Sequence, residues 1–127
     1  MATKSIFVVD DNPENTKLIR VLLTSVGYDV RTAKDAMTAL TELETFTPDL
    51  ILMDIHLPDI DGFELTHRLK SNPATSKITI IIFSASASKA DEERITTAGC
   101  DGFIRKPIDT RTLAEIIAEY LRGERTA

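Results

Sequence analysis

Short, uninterrupted apolar runs alternate along this chain with longer stretches in which apolar residues recur every three or four positions. The first run, Ile6-Phe7-Val8-Val9, contains no polar residue, as expected of a parallel strand covered on both faces, and it stops at Asp10-Asp11. Asn12 then offers an N-cap oxygen to a helix whose first residue, Pro13, has no N–H to satisfy. Ile19, Leu22, Leu23 and Val26 form its predicted inner face, and Gly27 ends it. The same unit recurs. A strand over 29–33 precedes a helix from Asp35 with Ala36, Ala39, Leu40 and Leu43 inward, and Pro48 separates that helix from the next strand. Leu50-Ile51-Leu52-Met53 runs into Asp54, and a loop through Pro58, Asp61 and Gly62 opens a helix carrying Phe63, Leu65 and Leu69. Ile78 to Phe83 leads into Ser84-Ala85-Ser86 and a helix over 89–98. That helix has only Ala90, Ile95 and Ala98 as apolar anchors, so it is expected to be weakly held. Gly102 to Arg105 makes a short fifth strand ending at Lys106-Pro107. Leu113, Ile116, Ile117, Tyr120 and Leu121 then line a strongly amphipathic last helix.

Strand and helix alternating five times predict an α/β fold: a doubly wound, five-stranded parallel sheet between two helical layers, a (βα)5 three-layer sandwich. Right-handed crossovers bring the carboxyl ends of all parallel strands to one edge of the sheet. Asp10, Asp11, Asp54, Ser84 and Lys106 are therefore expected to meet there, although they lie far apart in sequence.

Each of these residues has an ordinary local explanation. Asp-Asp-Asn before a helix suits capping and the helix dipole, a lone Asp after a strand suits a turn, and a strand-end Ser can bond nearby backbone. Taken together these explanations weaken, because four of the five predicted strands end in a polar group fit for one task and the remaining strand is an edge strand. Three carboxylates in one place repel, so they must share protons or bind a cation. Mg²⁺ is the natural candidate, a hard octahedral ion that takes one or two carboxylates, keeps several waters and accepts a phosphoryl oxygen; Mn²⁺ is the alternative. Beside it, Asp54 is suited to attack phosphorus while Lys106 neutralises charge on the transferred oxygens and Ser84 donates a hydrogen bond. The product is an acyl phosphate, prone to hydrolysis, and so a timed switch rather than a permanent mark.

Composition narrows the class. The 127 residues fit one domain, predicted over 1–127 with a core of about 4–122 and no output domain. Acidic residues outnumber basic ones 20 to 15, with no basic run, which argues against nucleic-acid binding. No apolar stretch approaches the ~20 residues of a membrane span, and the amino terminus does not read as a signal peptide. With a lone cysteine, Cys100, unable to form an internal disulfide, a cytoplasmic protein is expected. Cys100 itself reads as a small, partly buried residue, and His67 as a solvated one.

The segments IFVVDDN over 6–12, PDLILMDIHLP over 48–58, Ser84-Ala85 and GFIRKPI over 102–108 resemble, in order and spacing, the CheY-like receiver domains of two-component response regulators. The resemblance implies the flavodoxin-like strand order 2-1-3-4-5. Asp54 would be the phosphoacceptor, Asp11 a direct metal ligand, Asp10 its acidic partner through water, and the His56 backbone carbonyl a further ligand. Phe103 matches the aromatic that turns inward when the Ser84 hydroxyl moves to the phosphoryl group, and the Lys106–Pro107 bond would be cis. His56 and Ser86 stand where the family tunes dephosphorylation; the His56 side chain itself reads as an exposed loop histidine. The implied phosphodonor is a histidine kinase or a histidine phosphotransfer protein, and the implied output a change in affinity for a downstream protein effector, the chain being a monomer or weak dimer. Asp10-Asp11-Asn12 with Asn15, and GCDGFIRKPI, resemble phosphorelay receivers and single-domain regulators of the DivK type more than motility regulators.

Two other classes stay open on sequence. One is a metal-dependent phosphohydrolase with an aspartyl-phosphate intermediate, although such enzymes place a second Asp two residues after the nucleophile, where this chain has His56. The other is a docking module that is never phosphorylated, although the acidic, hydroxyl and lysine set is intact.

Overall fold

The computed structural model describes residues 3–84, 89–106 and 109–123. Its elements are β1 (Ser5–Val9), α1 (Pro13–Ser25), β2 (Asp29–Ala33), α2 (Ala36–Leu43), β3 (Leu50–Asp54), α3 (Gly62–Ser71), β4 (Thr79–Ser84), α4 (Lys89–Ala98), β5 (Gly102–Arg105) and α5 (Leu113–Leu121). All strands pair in parallel in the order β2-β1-β3-β4-β5. The predicted α/β fold and strand order are both present, and β2 lies at an edge.

The alternation of side chains along each strand divides the core in two. Ile6, Val8, Leu50, Leu52, Ile81 and Phe83 face α1 and α5, where Ile19, Leu23, Leu113, Ile117 and Tyr120 cover them. Phe7, Val9, Ile51, Met53, Ile80 and Ile82 face α2, α3 and α4 and meet Ala36, Ala39, Phe63, Leu65, Leu69 and Ile95. Because β1, β3 and β4 are covered on both sides, their runs are continuously apolar. β2 is covered less completely and admits Asp29 and Arg31 at exposed positions.

Val26 corrects the expected inner face of α1. It is 58% exposed, because the helix ends at Ser25 and the chain turns through Gly27 at φ +99°. The Gly27 N–H donates to the Thr24 carbonyl at 3.1 Å and the Tyr28 N–H to the Leu23 carbonyl at 3.1 Å, a Schellman closure. Tyr28 thereby packs against the core cluster that holds Leu23, the place the helical spacing assigned to Val26.

Candidate functional site at the carboxyl edge of the sheet

Asn12 caps α1 as its position predicts, its side-chain oxygen accepting from the Glu14 and Asn15 N–H groups at 2.9 and 3.3 Å. That cap fixes the turn immediately after β1, on which Asp10 and Asp11 sit. Asp10 is buried. Its Oδ1 accepts from the Asn12 N–H at 3.0 Å, and its Oδ2 accepts from Asn15 Nδ2 at 3.2 Å and Lys106 Nζ at 3.4 Å. Asp11 is exposed. Asp54 ends β3, next to β1 in the sheet, and is 6% exposed. Its Oδ1 accepts from the His56 N–H at 3.3 Å and its Oδ2 from Lys106 Nζ at 3.2 Å.

Lys106 reaches both buried carboxylates because its backbone N–H is held by the Ser84 carbonyl at 2.8 Å, which aligns the ends of β4 and β5. Its ammonium also lies 4.6 Å above the Phe83 ring. Ser84 is fully buried and follows Phe83, the register partner of Asp54. The predicted convergence of Asp10, Asp11, Asp54, Ser84 and Lys106 at one sheet edge is thus what the fold produces.

Burial pushes the Asp54 carboxyl above its ordinary value, and the Asp10 charge adds to that. The Lys106 ammonium and the His56 N–H pull the other way without cancelling it. One lysine therefore leaves the acidic cluster short of positive charge. Asp10, Asp11 and Asp54 each offer an oxygen within 4.8 Å of the other two, and only Asp11 opens to solvent. An all-oxygen donor set with one wet side fits a hard divalent ion that keeps part of its water shell.

His56 and His67 are both exposed. Cys100 is buried, and desolvation pushes its thiol up to about 11, so it stays a protonated core residue. Phe103 is half-buried against the α2–α4 side of the core and lines a groove of ≈ 260 Å³ with Ile104, Arg105, Asp109, Thr112 and Leu113. Ala85, Ser86, Ile108 and the Lys106–Pro107 bond lie outside the described residues, as does the side chain of Ala90. Among the described residues no helix is long and apolar enough to cross a membrane.

Two supporting contacts are not legible in the sequence, although one of the residues, Asn15, stands out there beside Asp10-Asp11-Asn12. Asn15 lies one helical turn after Asp11, the spacing at which a side chain can reach back over a helix start, and it steadies Asp10. Asp59, in the loop after Asp54, accepts from the Ala36 and Met37 N–H groups at 3.0 and 2.9 Å and so closes the start of α2. Burial would raise its carboxyl, but these N–H donors, with that of Ile60, outweigh it and hold it below the ordinary value. Asp59→Ala is expected to cost about 1 kcal/mol. Because the folded value is depressed, the deficit should be full above the unfolded value of 3.8 and fade as pH falls below it, as urea titrations at several pH values would show.

A family model for the response regulator receiver domain matches residues 6–118. The chain belongs to that family. It is 42% identical over 119 residues to the polar-differentiation response regulator DivK of Brucella ovis, a match covering 94% of this chain and 97% of that one. A CheY-like receiver domain protein from Methanospirillum hungatei superposes with a TM-score of 0.90 at 31% identity, over 97% of each chain. The receiver domain of a Pseudomonas aeruginosa sensor histidine kinase, solved with a magnesium ion coordinated in its active site cleft, superposes with a TM-score of 0.85. It is 31% identical, over 95% of this chain and 99% of that one. The chain is accordingly a receiver, a signalling domain of a two-component system.

Proposed function

We propose that Asp54 accepts a phosphoryl group from a histidine kinase or a histidine phosphotransfer protein in the cytoplasm, and that the modified receiver changes its affinity for a downstream protein. The observation that carries this reading is the contact of Lys106 Nζ with Asp54 Oδ2 at 3.2 Å, inside a cluster completed by Asp10 and Asp11. An Asp54 oxygen attacks phosphorus in line, the O–P bond forming as the P–N bond to the donor imidazole breaks. Lys106 then turns from a carboxylate that has lost its charge to the phosphoryl oxygens, and the Ser84 hydroxyl donates to another of them. Asp10, Asp11, Asp54 and the His56 backbone carbonyl would hold Mg²⁺ or Mn²⁺, which when bound neutralises charge on those oxygens. Phe103, half-buried at the end of the same sheet, is the proposed aromatic switch, and the face of α4, β5 and α5 the proposed output surface.

Acetyl phosphate with Mg²⁺, followed by intact mass measurement, tests this directly. The receiver reading expects a single metal-dependent phosphoryl adduct that Asp54→Asn abolishes. Release of inorganic phosphate without an adduct would support the phosphohydrolase. A chain that neither gains mass nor turns over would support the docking module.

A further inference from the structure

We infer that Arg94 is a positioning residue that latches α4 to the loop carrying the phosphoacceptor while the chain is unphosphorylated, an inference that rests on the reading of Asp54 above. The Arg94 guanidinium donates to Asp61 Oδ2 at 2.8 Å and lies 4.5 Å above the Phe63 ring. Both partners belong to the segment that starts at Asp54. The His56 N–H donates to Asp54 Oδ1, and the Gly62 N–H donates to the Ile55 carbonyl at 2.7 Å. Gly62 approaches the Asp54 backbone so closely that a Cβ there would overlap the Asp54 carbonyl oxygen. Asp61 carries two loads. Its Oδ1 caps α3 through the Glu64 N–H at 2.9 Å, while its Oδ2 holds Arg94 of α4.

The apolar anchoring of α4 is light among the described residues. Ile95 is buried and Ala98 is half-buried, and α4 lies beside α3 along a groove of ≈ 200 Å³ lined by Phe63, Glu64, His67 and Thr97. The chain just beyond α4 is pinned more firmly, because Asp101 Oδ2 accepts from both Lys70 Nζ and the Ile80 N–H at 2.8 Å. The helix is thus fixed near its end and tied midway to the loop where charge changes on phosphorylation. The side chains of Arg94 and Asp61 are 47% and 40% exposed, so their ion pair contributes little to global stability. Such a contact can bias a two-position element without unfolding the domain.

Arg94→Met removes the latch, and Asp61→Asn removes its charge while keeping an N-cap oxygen for α3. In the metal-free, unphosphorylated chain, both variants and the double variant should show about threefold faster hydrogen exchange confined to α4. Phosphoryl uptake from acetyl phosphate with Mg²⁺ should rise about two- to fourfold in each, with the double variant no faster than either single one. Unchanged α4 exchange, faster exchange spread evenly over the chain, or additive effects in the double variant would overturn the latch. A wild-type chain that gains no adduct, with α4 exchange still responding non-additively, would overturn the Asp54 reading and leave the contact established.

Discussion

Lys106→Met is expected to slow phosphoryl uptake from acetyl phosphate by about 100- to 1,000-fold, the usual loss when one preorganised positive donor to a developing oxyanion is removed. Methionine keeps most of the apolar stem and deletes the ammonium, with its contact over the Phe83 ring, so the loss reports charge rather than packing. The lysine side chain is 16% exposed and the carboxylates it faces are 0% and 9% exposed, so water replaces little of what it supplies. Uptake rates from intact mass decide the matter. A variant within threefold of wild type would remove Lys106 from the proposed chemistry.

The same substitution should lower metal-free stability by about 2–3 kcal/mol, because two buried carboxylates lose their shared counter-charge. The pH dependence has a definite sign. Asp54 holds its proton more tightly in the folded chain than in the unfolded one, where 3.8 applies, so its ionisation opposes folding. That opposition is absent below pH 3.8 and grows as pH rises through the elevated folded value. Lys106 reduces it in the wild type, so the deficit of the variant should open on going from acid to neutral pH and close again below 3.8. Metal-free thermal melts across that range would show it, and a deficit that widens on acidification would contradict the electrostatic account.

The fold was legible in the sequence because its two signals are physically independent. Strands covered on both faces must be apolar throughout, and helices covered on one side must be apolar every third or fourth residue; the two patterns could not be confused over 6–9, 50–53 or 113–121. The site was legible for a topological reason, since parallel strands deliver their ends to one edge whatever their separation along the chain. Contacts made by loops were less legible. Asp59 closes a helix 23 positions earlier in the chain, and Arg94 reaches Asp61 across 33 positions. Neither spacing follows from any helical or strand period, and an exposed Asp or Arg is the commonest sight on a surface. Val26 failed for the opposite reason. Helical periodicity extended one residue past Ser25, where α1 ends, just before Gly27 turns the chain, and Tyr28 took the buried place.

Gly62→Ala sets local propensity against tertiary contact, and the two predict opposite signs. Gly62 is the first residue of α3, where alanine on helix propensity alone would stabilise by up to about 1 kcal/mol. The tertiary surroundings forbid it. A Cβ at this position overlaps the Asp54 carbonyl oxygen and lies 3.0 Å from the Ile55 Cα and 3.1 Å from the Asp54 carbonyl carbon, all backbone atoms at or just past the end of a strand buried on both sides. Backbone cannot swing aside as a side chain can, so either α3 withdraws, loosening Phe63 and Leu65 from the core, or the end of β3 moves. We expect a net loss of about 1–3 kcal/mol, the usual range for overpacking a filled interior. Displacing the end of β3 also moves the Asp54 carboxylate relative to Lys106, and the lost alignment should slow phosphoryl uptake by about tenfold or more at a temperature where the variant is fully folded. Gly102→Ala is the control, because its Cβ would meet the Tyr120 ring at the start of β5, away from the carboxylates. It should lose stability while its uptake rate stays close to that of wild type. A Gly62→Ala chain that melts higher than wild type would mean that the helix start can slide away from Asp54, and the tight approach would then have no part in holding the carboxylate in place.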